Sequence, residues 1–276
     1  MRGAAGRRMM SPGRARDRRP VRVPVPSLLC GRSADDVNGG PTRTQVRIAV
    51  VLFALTVIAG AVDAITFLGL GHAFAALTTG NLLFLGFGVV QAGTPVARPA
   101  EALAAFVAGA VAAHLAVTRL DRRGRRWFVP ALCLEAATVL LAGLIVVGVS
   151  GRRIPPESAT TIAVALLAAA MGWRNRVMMQ ASIPDMPTTV MQITLVKFLS
   201  GLLPGGSAAA REPLLPQARR LGTVLGVFAG GVIGALLLRL GPGPGLVCVA
   251  ALSGAVTAGY AVARRRRPSP ESARVR

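Results

Sequence analysis

Residues 60–88 read GAVDAITFLGLGHAFAALTTGNLLFLGFG. Three features in this stretch decide the fold. An acid, Asp63, stands inside a long apolar run; the glycine-rich break GLGH ends that run; and Thr78-Thr79-Gly80-Asn81 heads the next apolar segment. A carboxylate in the middle of a membrane helix costs roughly 2.5–3.5 kcal/mol on insertion scales, so it implies a protein-lined or wet surrounding.

The rest of the chain supports a membrane setting. Hydrophobic residues make up 53% of the 276, charged residues only 16%, and the mean hydropathy is +0.56. That is too apolar for a soluble domain. The net charge of +21 fits the same conclusion, because the arginines cluster at the ends of apolar runs, as the positive-inside rule requires of cytoplasmic loops and tails. Cys30, Cys133 and Cys248 are far apart and are read as small core residues, with neither disulfide nor metal role. No H-x-x-x-H, C-x-x-C or G-x-S-x-G pattern occurs. The reading is therefore of a protein that is no enzyme and needs no cofactor.

Residues 1–45 carry ten arginines against three acids and lack an apolar run of signal-peptide length. They read as a disordered basic arm, either a topological anchor or a contact for anionic lipid; nucleic acid is a weaker expectation. Apolar segments follow at about 48–70, 72–91, 100–118, 128–149, 159–181, 187–203, 220–239 and 244–263, and a basic tail occupies 264–276. Most have the roughly 20 residues that cross the hydrocarbon.

Eight full crossings would place the arginines of residues 119–126 outside. If 72–91 and 187–203 instead enter and leave on one side, every arginine block except Arg152-Arg153 lies inside. The expected fold is thus an all-α integral membrane protein with about six transmembrane helices plus two broken or re-entrant helices; seven or eight full helices is the alternative. Both termini are expected in the cytoplasm, with the chain in the bacterial inner membrane.

The two halves correspond at a fixed offset of 112: Gly60 with Gly172, Asp63 with Asn175, Phe74 with Met186 and Gly80 with Gln192. After a small insertion, Phe106-x-x-Gly109 and Arg119 correspond to Phe228-x-x-Gly231 and Arg239. This indicates two repeats, about 46–150 and 158–263. An odd number of spans in each makes them inverted, an architecture common among secondary transporters.

Asp63-Ala64, Phe67-Leu68, Gly71, Phe74 and Thr79-Gly80-Asn81, followed by Met171-Gly172, Asn175, Thr188-Thr189 and Leu195, resemble the two signatures of the YoaK-type family of bacterial membrane proteins, which bears a domain-of-unknown-function label. The resemblance covers about residues 46–263. Met191-Gln192 replaces the second Thr-Gly pair. The resemblance implies a multi-helix inner-membrane protein and supplies no substrate.

The candidate groups for a substrate or coupling ion are Asp63, Thr78, Thr79, Gly80, Asn81, Asn175 and Lys197, the only lysine. His72, His114 and Glu135 are candidates for a proton relay, with His114 or Lys197 as partner to Glu135 if that acid lies deep. Each has a plain alternative. Asp63 can cap the helix break, Thr and Asn can satisfy backbone, and Arg174 and Arg176 can snorkel to the cytoplasmic surface. The functional expectation is a secondary transporter or permease of a small solute, with a proton as candidate coupling ion. A non-transporting membrane scaffold is the alternative.

Overall fold

The computed structural model describes residues 43–91, 93–124, 127–149, 157–180 and 214–265. Residues 1–42 of the basic arm, the Arg152-Arg153 loop, segment 187–203 with Lys197, and residues 266–276 of the tail lie outside the described residues; residues 43–45, expected in the arm, instead begin the first helix, and residues 264–265 end the last one. Among those described, the protein is all-helical: α1 (Arg43–Gly69), α2 (Thr78–Val90), α3 (Ala97–Arg122), α4 (Phe128–Val149), α5 (Glu157–Gln180), α6 (Leu214–Leu237), a 3-10 turn (Leu238–Leu240) and α7 (Pro242–Arg265). Five stretches, in α1, α3, α4, α6 with its turn, and α7, are long and apolar enough to cross a membrane. The 24 residues of α5 give it comparable length, about 36 Å, but Arg174-Asn175-Arg176 interrupts its apolar character. With 13 residues, α2 reaches only about 20 Å, short of a bilayer core of about 30 Å.

Glycine sets how closely the long helices approach. The first helix lies along α6, where Gly226 meets Phe53 and Thr56, Gly230 meets Val57 and Gly60, and Gly69 meets Leu238. Residue numbers rise together, so α1 and α6 are parallel. A Cβ on Gly60 would stand 2.6 Å from the Val227 carbonyl oxygen, so only glycine allows this backbone contact. The same device joins α3 to α5, where Gly109 faces Ala169 and Gly172 faces Phe106. Contacts at both ends of that pair, Arg98 Nη2 to the Glu157 carbonyl at 3.2 Å and Arg176 Nε to His114 Nδ1 at 3.1 Å, make α3 and α5 parallel too. Extra bulk at such a crossing costs about 1–3 kcal/mol. Gly60→Val is therefore expected to lower the thermal midpoint in detergent, which a melting scan of the purified protein measures.

Two further pairs run in opposite directions. Phe128 packs on Tyr260 at 5.4 Å between ring centroids, while Gly143 meets Leu246 and Gly243 meets Val147; α4 and α7 are antiparallel. Gly69 meets Pro242 and Gly245 meets Ile65, so α1 and α7 are antiparallel as well. It follows that α1, α4 and α6 point one way. The end of α3 lies beside the start of α4, where Trp127 Nε1 donates to the Asp121 carboxylate at 3.2 Å, so α3, α5 and α7 point the other way. Residues 70–96, which contain α2, accordingly leave and rejoin the bundle at the same end.

Leu55, Ile58, Val62, Ile65, Leu132 and Leu167 belong to the core, contributed by α1, α4 and α5. Leu82, Leu83, Val107, Val111, Leu141 and Phe228 are exposed, as expected of surfaces facing lipid chains. Cys133 and Cys248 are also exposed and free. Their expected core positions are corrected: they lie on outward faces of α4 and α7, where an apolar thiol is as acceptable to lipid as to a core. Buried hydroxyls return their hydrogen bonds to their own helices, Thr56 to the Leu52 carbonyl at 2.9 Å and Thr66 to the Val62 carbonyl at 2.6 Å, which leaves them satisfied without a ligand.

Candidate functional site

The helix break follows directly from local chemistry. Gly71 has φ +112° and His72 has φ +60°, left-handed conformations that end α1 and turn the chain back on itself. Two side chains then hold the returning segment. Asp63, about two turns before the end of α1, accepts a hydrogen bond from the Ala76 amide at 2.6 Å. Buried Asn81, in the first turn of α2, accepts from the Phe74 amide at 2.9 Å and donates to the Phe74 carbonyl at 2.7 Å. Leu77, at the N-cap of α2, provides no capping side chain. The chain turns back past Asp63 and leaves as α2, whose N-terminus sits beside Asp63.

Aromatic rings brace the turn. Phe67 stacks on Phe74 at 4.6 Å, and a Cβ on Gly80 would press into the Phe74 ring at 2.7 Å. Gly80 thus serves ring packing. Replacing Asn81 with leucine removes both bonds to Phe74 and leaves two half-buried backbone groups unpaired, at a cost of up to about 1–3 kcal/mol for each. Faster proteolysis or hydrogen exchange across residues 73–81 is the expected readout.

A cavity of about 120 Å³ opens next to this turn, between α1, α5 and α6, and its lining includes Gly60, Asp63, Leu77, Met171, Arg174 and Asn175. Arg174 is only 4% exposed. Its Nη1 donates to the Leu55 carbonyl at 2.8 Å, and its Nη2 forms an ion pair with Glu135 of α4, itself buried. The match in depth has a simple origin. Glu135 stands seven residues after the start of α4 and Arg174 six before the end of α5, so neighbouring antiparallel helices bring them to one level.

The sequence-selected residues therefore fall into separate groups. Asp63 and Asn175 share the cavity, Asn81 acts on the turn behind it, and Glu135 reaches the same site through Arg174. Thr78 is half-buried and Thr79 exposed; the cavity wall uses Ala76 and Leu77 just before them. His72 is exposed, edge-on to Phe67. His114 is exposed and engages Arg176, which also bonds Gln180 at 2.9 Å. Glu135 pairs with Arg174, neither with His114 nor, among the described residues, with another base. Arg174 is the functional candidate the sequence reading assigned mainly to surface snorkelling. Among the described residues, no group of His, Cys, Asp and Glu could hold a metal ion.

The model of a family described as "Protein of unknown function (DUF1275)" matches residues 51–259. The chain belongs to the DUF1275 family. That membership agrees with the domain-of-unknown-function label expected from the two signatures, and the matched region contains every side chain of the site just described. Comparison with curated proteins and with solved structures returned no match. For this DUF1275 protein, the chemistry of the cavity is thus the available guide to what it does.

Proposed function

We propose that this DUF1275 protein is a secondary transporter or permease that moves a small solute across the bacterial inner membrane, with both termini cytoplasmic and without enzymatic chemistry. The observation that carries this reading is the cavity where Asp63, Arg174 and Asn175 meet the N-terminus of the broken helix α2. Polar groups kept at membrane depth around a discontinuous helix typically line a solute path. The reading includes a proton as candidate coupling ion and anionic lipid as contact for the basic termini.

On this proposal the architecture is six spans plus two re-entrant segments, in inverted repeats. Helix packing supports it: exchanging α1 with α5, α3 with α6 and α4 with α7 converts the α1–α6 contact into α5–α3, and α4–α5 into α7–α1. The equivalent helices α4 and α7 run antiparallel, as a two-fold axis in the membrane plane requires. Packing also equates Phe106 and Gly109 with Val227 and Gly230, because Gly172 meets Phe106 as Gly60 meets Val227. That register lies one residue earlier than the sequence correspondence.

The test is solute flux into proteoliposomes that carry the full chain, comparing wild type with Asp63→Asn. Asparagine keeps an acceptor for the Ala76 amide and removes the charge. Flux of at least one solute is expected to depend on the protein and to fall tenfold or more in the variant while the thermal midpoint holds. The hydrogen bond from Ala76 to Asp63 favours a second reading, a scaffold in which Asp63 only pins the turn. That reading expects Asp63→Ala, which deletes the acceptor, to lower the melting temperature, with no flux of any solute in wild type or either variant.

A further inference from the structure

We infer that the cavity takes a compact monovalent organic cation, an aliphatic primary ammonium of about four to six heavy atoms. This deepens the transport reading by naming its solute class, and it rests on that reading for the cavity's part in translocation.

Charge comes first. The wall carries Asp63 and Arg174, and Arg174 is ion-paired to Glu135 of α4. Arg174 and Glu135 cancel, so the charge left at the site among the described residues is the single negative one of Asp63, which makes no ion pair with a described residue. Its Oδ1 takes the Ala76 amide, and the start of α2 beside it contributes only about half a positive unit. Such dipoles stabilise a carboxylate without cancelling it, whereas a charge held away from water is ordinarily paired. A cation in the cavity supplies the pair. An anion would bring a second negative charge to the same place, and a neutral solute would leave the first without a partner.

The carboxylate has room for that partner. Asp63 is half-buried and lines the cavity, and a carboxylate offers roughly four lone-pair sites, enough for an ammonium beside the Ala76 amide. The rest of the wall decides what kind of cation fits. Among the described residues Asp63 and Asn175 are its only oxygen-bearing side chains; Leu52, Leu55, Val227 and the thioethers of Met171 and Met178 make up much of the remainder. Hard metal ions take about six or more oxygen ligands, which this wall does not provide. An alkylammonium needs one anion for its head and apolar neighbours for its body, which it does. Size agrees: a cavity of about 150 Å³ lined by apolar side chains holds benzene, so about 120 Å³ admits a slightly smaller molecule.

Three probes of similar shape test this: isobutylammonium, isobutanol and isobutyrate, titrated by saturation-transfer NMR against the full chain in nanodiscs of zwitterionic lipid, with the signal from empty nanodiscs subtracted. Isobutylammonium is expected to bind saturably and at least tenfold more tightly than either of the others. Asp63→Asn, which keeps an acceptor for the Ala76 amide, is expected to weaken ammonium binding at least tenfold and to erase the preference over isobutanol. Ala59→Leu, which fills the cavity without touching its charges, is expected to abolish binding. Equal or tighter binding of isobutanol or isobutyrate, unchanged ammonium binding in either variant, or no saturable binding of the ammonium overturns the inference. Ammonium binding without protein-dependent flux of any solute supports the inference and sinks the transport reading. Protein-dependent flux of an anion or a neutral solute without ammonium binding does the reverse.

Discussion

Replacing Glu135 with leucine is expected to destabilise the protein by about 3–5 kcal/mol, the penalty of leaving a buried charge without its partner. Arg174 is the charge left behind. It is held inside the bundle by the Leu55 carbonyl, so it can neither snorkel to water nor shed its proton. Removing both members, in Glu135→Leu/Arg174→Leu, is expected to restore most of the loss, because an apolar pair of similar volume avoids the desolvation cost altogether. Denaturant titration of the two variants beside wild type measures this. A double variant as unstable as the single would mean that the stranded Arg174 charge is not the source of the loss.

The second large effect is expected at Asp63. Asp63→Ala deletes the acceptor for the Ala76 amide, a hydrogen bond to a charged group worth about 1.5–3 kcal/mol, and frees the irregular segment that leads into α2. Hydrogen exchange at residues 74–78 is expected to rise at least tenfold. Asp63→Asn, with an acceptor in the same place, is expected to protect the turn nearly as well as wild type. Comparison of the two separates the clamp, which needs an oxygen atom, from any coupling role, which needs a charge. Equal exchange in all three proteins would show that Asn81 and the Phe67–Phe74 stack hold the turn unaided.

Much of this was legible in the residues. An acid before a glycine-rich break, followed by an asparagine at a helix start, marks a chain that stops, turns and restarts, and Asp63, Gly71 and Asn81 fill those roles in space. The close helix crossings were foreshadowed by Gly60, Gly109, Gly172 and Gly230, each the kind of residue that lets backbones touch. Less was legible in the charges. Arg174 lies in a polar triplet near a helix end, the usual setting for a snorkelling side chain. Only its depth against Glu135 on a neighbouring antiparallel helix shows that it turns inward. Thr78 and Thr79 drew attention as hydroxyls in an apolar run, yet a helix start directs successive side chains around its circumference, and the wall of this cavity falls to Ala76 and Leu77. Cys133 and Cys248 illustrate the same ambiguity, since hydropathy cannot separate a lipid-facing position from a buried one when both surroundings are apolar.

The path of residues 70–96 decides the topology, and single-cysteine labelling reads that path out. In a background with the native cysteines replaced, Thr94→Cys and Gly124→Cys are reacted with an impermeant maleimide from each side of sealed vesicles, alongside a tag at the N-terminus. Labelling of residue 124 from the side of the N-terminus and of residue 94 from the opposite side is the predicted result. Residue 94 labelling from the side of the N-terminus, with 124 opposite, would make α2 a full crossing and contradict the account.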